Sequence, residues 1–163
     1  MLKETLTELF TRELNILIAE INLYKEEKDL WIIKDGITNS AGNLCLHLIG
    51  NLNHFIGALL GNTGYIRHRE DEFNLKNIPR AELITGIEQT IVMVKNTLSD
   101  MSAEDLEMDF PVERQGKIIK NSYMLLHLLL HFNYHLGQIN YHRRLMEKGT
   151  IPIPEKQERV NSS

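Results

Sequence analysis

Apolar side chains recur at three- and four-residue steps through Leu2, Leu6, Leu9, Leu14, Leu17, Ile18, Ile21 and Tyr24. That period predicts an amphipathic helix from Leu2 to about Tyr24. A second helix is predicted to start after Asn39-Ser40, where either residue can accept a hydrogen bond from a free first-turn amide. It runs to about Leu60, before the breaker Gly61-Asn62-Thr63-Gly64, and carries Leu44, His47, Leu48, Asn51 and Phe55 on adjoining faces. Pro79 suits the first position of a third helix, because the amide hydrogen that proline lacks has no partner there in any case. Leu83, Ile84, Ile87, Ile91, Val94 and Leu98 form its core stripe, and it ends near Ser99-Asp100.

The segment from Phe110 to Ile119 places Gly116 between two short β-prone pieces, which predicts a small hairpin or an extended loop before the last helix. That last helix runs from about Asn121 to Glu147 and is stopped by Gly149, with Pro152 and Pro154 beyond. Its first half, Tyr123 to Phe132, is apolar nearly all round apart from two histidines, so it is expected to be buried among the other helices. Four long helical patterns with no internal repeat or heptad seam predict an all-α four-helix bundle over residues 1–149. An extended or disordered tail is expected over 150–163.

A chain of 163 residues, 42% apolar and 25% charged, can bury a core without disulfides or structural metal. Its net charge of −4, with both signs interspersed, gives no footprint for nucleic acid or an anionic membrane surface. The N-terminus lacks the order of a signal peptide, and no stretch reaches the roughly 20 apolar residues that cross a bilayer. A single cysteine, Cys45, excludes an internal disulfide and fits a reducing compartment, so a cytoplasmic protein is expected.

The candidate chemistry lies in the histidines. His127, His131 and His135 follow one another at four-residue steps on the last helix. Adjacent members share a face and can bend toward one ion, whereas His127 and His135 stand two turns apart, roughly 12 Å at 1.5 Å per residue. A third ligand has to come from another helix, where His47 and, two turns on, His54 are the candidates. Spacing leaves that choice open. His68 and His142 read as ordinary histidines, and Cys45, two residues from His47, reads as a small buried core residue. H-E-x-x-H, paired Glu-x-x-His, C-x-x-C and P-loop patterns are all missing.

The run His131-Phe132-Asn133-Tyr134-His135-Leu136-Gly137-Gln138 resembles the DinB superfamily signature of two histidines four apart followed by a small residue and Gln. Gly42-Asn43-Leu44-Cys45-Leu46-His47-Leu48 resembles that superfamily's second-helix motif. Arg67-His68-Arg69-Glu70-Asp71-Glu72-Phe73 resembles a loop motif of a bacterial subgroup with paired arginines before Glu-Phe. Leu136 departs from the pattern, standing where relatives often carry a basic residue.

The resemblance implies a bundle of the DinB/YfiT-like type with metal ligands at His47, His131 and His135. His54, His127 and Gln138 are left as supporting residues. It further implies a divalent ion, zinc or nickel ahead of iron, manganese or copper, with no catalytic residue assigned. Three imidazoles leave the ion open, as in catalytic sites. Family likeness then points to a metal-dependent transferase, isomerase or hydrolase acting with a low-molecular-weight thiol or another small molecule. Arg67 and Arg69 are candidates for binding a substrate carboxylate. The alternative is a noncatalytic metal-binding or stress-associated interaction protein, and a homodimer fits either.

Overall fold

The computed structural model describes residues 1–34 and 36–147. The tail expected over 150–163 lies outside the described residues. Six α-helices are present among them: α1 (Leu2–Asn22), α2 (Ala41–Leu52), α3 (Arg69–Asn74), α4 (Arg80–Asp100), α5 (Ala103–Glu107) and α6 (Asn121–Met146). The four long ones correspond to the four predicted, and together they form an all-α bundle. α1 packs on α4 and α6, and α2 packs on the same two, so the helices close a ring in the order α1, α4, α2, α6.

The predicted stripes supply the core. Leu6, Phe10, Leu14, Leu17 and Ile21 of α1 meet Leu44, Cys45 and Leu48 of α2, Leu83, Ile87, Val94 and Leu98 of α4, and Leu125, Leu128, Phe132, Leu136 and Ile139 of α6. Each large side chain buried this way contributes roughly 1.5–3 kcal/mol relative to exposure. Ser40 caps α2 by accepting a hydrogen bond from the Asn43 amide at 3.2 Å. Pro79 stands one residue before α4, as its N-cap.

Two expectations are corrected. The second helix does not continue regularly to Leu60. It changes at Asn53 to a π-helical turn, Asn53–Ala58, whose wider winding breaks the phase set by α2. The first half of α6 is not buried all round either. Tyr123, Leu126 and Leu130 are exposed, because the helix packs chiefly on α1 and α2, with α5 beside it, and turns its remaining arc outward.

The predicted hairpin before α6 is a narrow loop with antiparallel bridges between Asp109 and Lys120 and between Arg114 and Lys117. Gln115 (φ 51°) and Gly116 (φ 73°) both take left-handed conformations, the pattern of a tight type I′ turn. The short helices α3 and α5 have too few turns to show a hydrophobic period and were not legible in the sequence. No helix among the described residues is long and apolar enough to cross a membrane.

Candidate metal centre

α2 and α6 lie side by side, and their contact brings His47 against His131 and His135. His131 and His135 sit one turn apart on α6, so both imidazoles lean toward the same point on the facing helix. The three Nε2 atoms converge: 3.3 Å separates His47 from His131 and 3.2 Å separates His135 from His131. The edge of a tetrahedron with metal–nitrogen bonds of 2.0–2.1 Å is about 3.3–3.4 Å. Two of the three pairs therefore already stand at the separation of ligands around one small divalent ion, and all three atoms lie within 4.8 Å of one another.

Hydrogen bonding on the far side of the rings makes the same donor set. His47 Nδ1 lies 2.8 Å from Glu72 Oε2, and His135 Nδ1 lies 2.7 Å from Gln138 Oε1. A carboxylate and an amide oxygen accept only, so each Nδ1 carries the proton and each Nε2 keeps its lone pair for the centre. His131 Nδ1 is buried without a partner among the described residues. Burial, followed by the neighbouring His135 and His47, lowers the His131 pKa to about 4, and burial lowers that of His135. Neutral imidazoles are the ligating form, so the residues fit a metal ion in both geometry and protonation.

Glu72 is the functional residue that sequence reasoning passed over. It is buried, accepts from Arg67 Nε at 2.6 Å and from Arg67 Nη2 at 2.9 Å, and orients His47. Burial raises its pKa, but the hydrogen bonds from His47 and Arg67 outweigh that effect and hold it below the ordinary carboxylate value. Two residues of α2 let this carboxylate in. Gly50, one turn beyond His47, leaves space that a Cβ would take from the Glu72 carboxylate. Asn43 donates from Nδ2 to the Glu72 carbonyl at 3.0 Å and the Leu75 carbonyl at 2.9 Å, which pins α3 to α2. The signal available in the sequence was the Glu-Phe pair after the arginines, together with a glycine three residues from a candidate ligand.

The other candidates fall around this centre in different roles. Gln138 reaches a ligand directly. His127 lines the cavity above the trio, exposed, with its ring centroid 6.4 Å from that of His131 and outside the converging group. His54 is not brought to the trio. It stands two turns beyond His47, roughly 10 Å along the axis, and its ring packs on Phe55 at 4.8 Å. Arg67 and Arg69 both line the cavity, but Arg67 is already engaged with Glu72. Cys45 is fully buried and its thiol pKa is pushed up to about 12 by that burial, as expected of an inert core cysteine. His142 has both ring nitrogens satisfied, by Tyr24 and by the Ile32 carbonyl.

No curated protein matches the chain. The crystal structure of a DinB-like protein from Bacillus cereus ATCC 10987 is similar to it, with a TM-score of 0.67 and 19% sequence identity, covering 87% of this chain and 91% of that one. At that identity the likeness shows the fold, which is therefore DinB-like. The family model described as "Protein of unknown function (DUF1572)" matches residues 5–155, and the chain belongs to that family.

Proposed function

We propose that this protein binds a divalent metal ion through His47, His131 and His135 and uses it in a reaction on a small molecule. The observation that carries this reading is the convergence of three Nε2 atoms, that of His131 lying 3.3 Å from His47 and 3.2 Å from His135, with the His47 and His135 protons held on their outer nitrogens by Glu72 and Gln138. His131 can donate from Nε2 to only one of the other two rings, so at least one lone pair faces the centre unmatched, and a cation among the three satisfies them all.

The trio forms one wall of a cavity of about 500 Å³, which supports an open centre over a closed structural one. When bound, the ion supplies a Lewis acid with positions left over for a thiol sulfur or a water oxygen. The chain's own residues prepare that end of the cavity. Glu72 holds the His47 proton at Nδ1, Gln138 holds that of His135, and Arg67 fixes Glu72 in turn. Phe55 and Phe73 line the same cavity. Imidazole ligands suit zinc, nickel, iron and copper alike, so availability chooses among them, and we take zinc or nickel as the first expectation. Thiol-dependent transfer or isomerisation is the reaction class we favour.

Elemental analysis of protein purified without an affinity tag tests the centre, with one equivalent of a divalent ion expected. Stoichiometric metal retained in His47→Ala, His131→Ala and His135→Ala alike sinks the assignment. The use of a thiol is checked by cobalt substitution, where 2-mercaptoethanol is expected to add a sulfur-to-cobalt absorption band. A noncatalytic role is the correct reading if chelation lowers the melting temperature strongly and no small molecule perturbs that spectrum.

A further inference from the structure

The cavity that opens on the histidine trio is lined by Arg67, Arg69 and Arg114, and no carboxylate lines it among the described residues. The whole chain carries −4, so this concentration of positive charge runs against the protein's overall balance. The three arginines are not equivalent. Arg67 is neutralised by Glu72, through two hydrogen bonds, and serves to position His47. The guanidinium groups of Arg69 and Arg114 have no carboxylate or hydrogen-bond partner among the described residues. Each lies over an aromatic ring instead, Arg69 at 5.4 Å from the Phe73 centroid and Arg114 at 5.3 Å from that of Phe55. Stacking engages the face of a guanidinium and leaves its edge of N–H donors unused.

We infer that this cavity takes a small organic anion bearing two or more negative groups, with Arg69 and Arg114 as its anion-binding pair. The inference rests on the reading of the histidine trio as the reacting end of the same cavity. Arg114 is placed by the tip of the hairpin, where Gln115 and Gly116 reverse the chain and the Arg114 and Lys117 backbones pair at 2.9 and 3.0 Å. Its half-buried stem is therefore anchored rather than free on a surface. The cavity volume of about 500 Å³ suits a ligand of metabolite size. A long polyanion is excluded because the positive charge does not extend into a stripe.

Titration calorimetry on the metal-loaded protein tests this with succinate, glycerophosphate and the neutral succinamide. Succinate or glycerophosphate is expected to bind, and the arm that binds more tightly distinguishes carboxylate from phosphate, while succinamide gives no heat. Replacing both arginines, Arg69→Gln with Arg114→Gln, is expected to weaken binding roughly ten-fold or more at an unchanged melting temperature. Arg114→Lys alone, which keeps the charge without the planar fork, is expected to lose part of it. No anion binding, equal binding of succinamide, or affinity unchanged in the double variant overturns the inference. Metal content read on the same samples separates the two ideas. Metal-free wild-type protein with arginine-dependent anion binding removes the metal reading and keeps this one, and metal-loaded protein indifferent to every anion does the reverse.

Discussion

Helix α6 buries imidazole at two places, and they are built on opposite principles. At His142, every hydrogen-bonding valence is used. Nε2–H donates to the Ile32 carbonyl at 2.8 Å, and Nδ1 accepts from the Tyr24 hydroxyl at 2.8 Å. Two turns earlier, His131 and His135 meet His47 with their Nε2 atoms turned toward one another, and only the outer nitrogens of His47 and His135 are satisfied by the protein. A neutral imidazole has one donor and one acceptor, so His142 is complete as it stands and ties α6 to the segment after α1. The trio is completed by the protein only at the outer nitrogens of His47 and His135. Burial alone does not distinguish a structural histidine from a ligand, whereas the pairing of both nitrogens does.

The largest break in this comparison comes from exchanging the two deletions. His135→Ala is expected to lower metal affinity by more than the roughly 100-fold typical of losing an outer partner, at little cost in apo-protein stability. His142→Ala is expected to leave metal affinity alone and destabilise the fold by about 1–3 kcal/mol, through a carbonyl and a hydroxyl left unpaired. Chelator competition and chemical denaturation of the two variants measure both effects, and a variant that scores on both scales erases the distinction.

Glu72 sharpens the metal side. Glu72→Ala removes the acceptor that sets the His47 tautomer, with an expected ten- to 100-fold loss of metal affinity by chelator competition. It also strands Arg67, whose side chain is 11% exposed, at a cost of about 3–5 kcal/mol. Gly50→Ala is expected to shift both quantities the same way, since the Glu72 side chain has to move to admit the new Cβ.

The structural side has a pH signature. Burial lowers the His142 pKa in the fold, against the raising effect of the Ile32 carbonyl. The unfolded chain therefore takes up this proton first as the pH falls. The stability that the neutral ring contributes is present in full above roughly pH 6.5 and declines below it. Metal-free His142→Gln is expected to show a shallower fall in melting temperature between neutrality and pH 5 than metal-free wild type. The smallest effect is expected at Gln138, which is exposed and holds His135 by one neutral hydrogen bond. Gln138→Ala should weaken metal binding by ten-fold or less in the same competition assay.

Much of the bundle was legible because its evidence is local. Leu6, Phe10, Leu14, Leu17 and Ile21 lie on one side of any helix that contains them, and Ser40 caps α2 through residues only three positions away. Other features depend on neighbours distant in the chain. The exposure of Leu130 follows from which sides of α6 the ring of helices covers, and the hydrophobic pattern of α6 does not contain that information. The pairing of Arg67 with Glu72 is not legible in the sequence because that acceptor comes from a helix too short to show a period. Arg114 was missed because a single arginine in a turn has no motif around it until Phe55 is found beneath it.

For this protein the sequence by itself determined four amphipathic helices and a histidine pair one turn apart, since both depend on helical repeat alone. Tertiary structure decided which of His47 and His54 completes the group: the α2–α6 contact brings His47 level with His131 and His135 and leaves His54 two turns away. It also decided which nitrogens are left without partners. That property belongs to a pair of residues rather than to either one, and it exists only once Glu72, Gln138, Tyr24 and the Ile32 carbonyl have reached their positions in space.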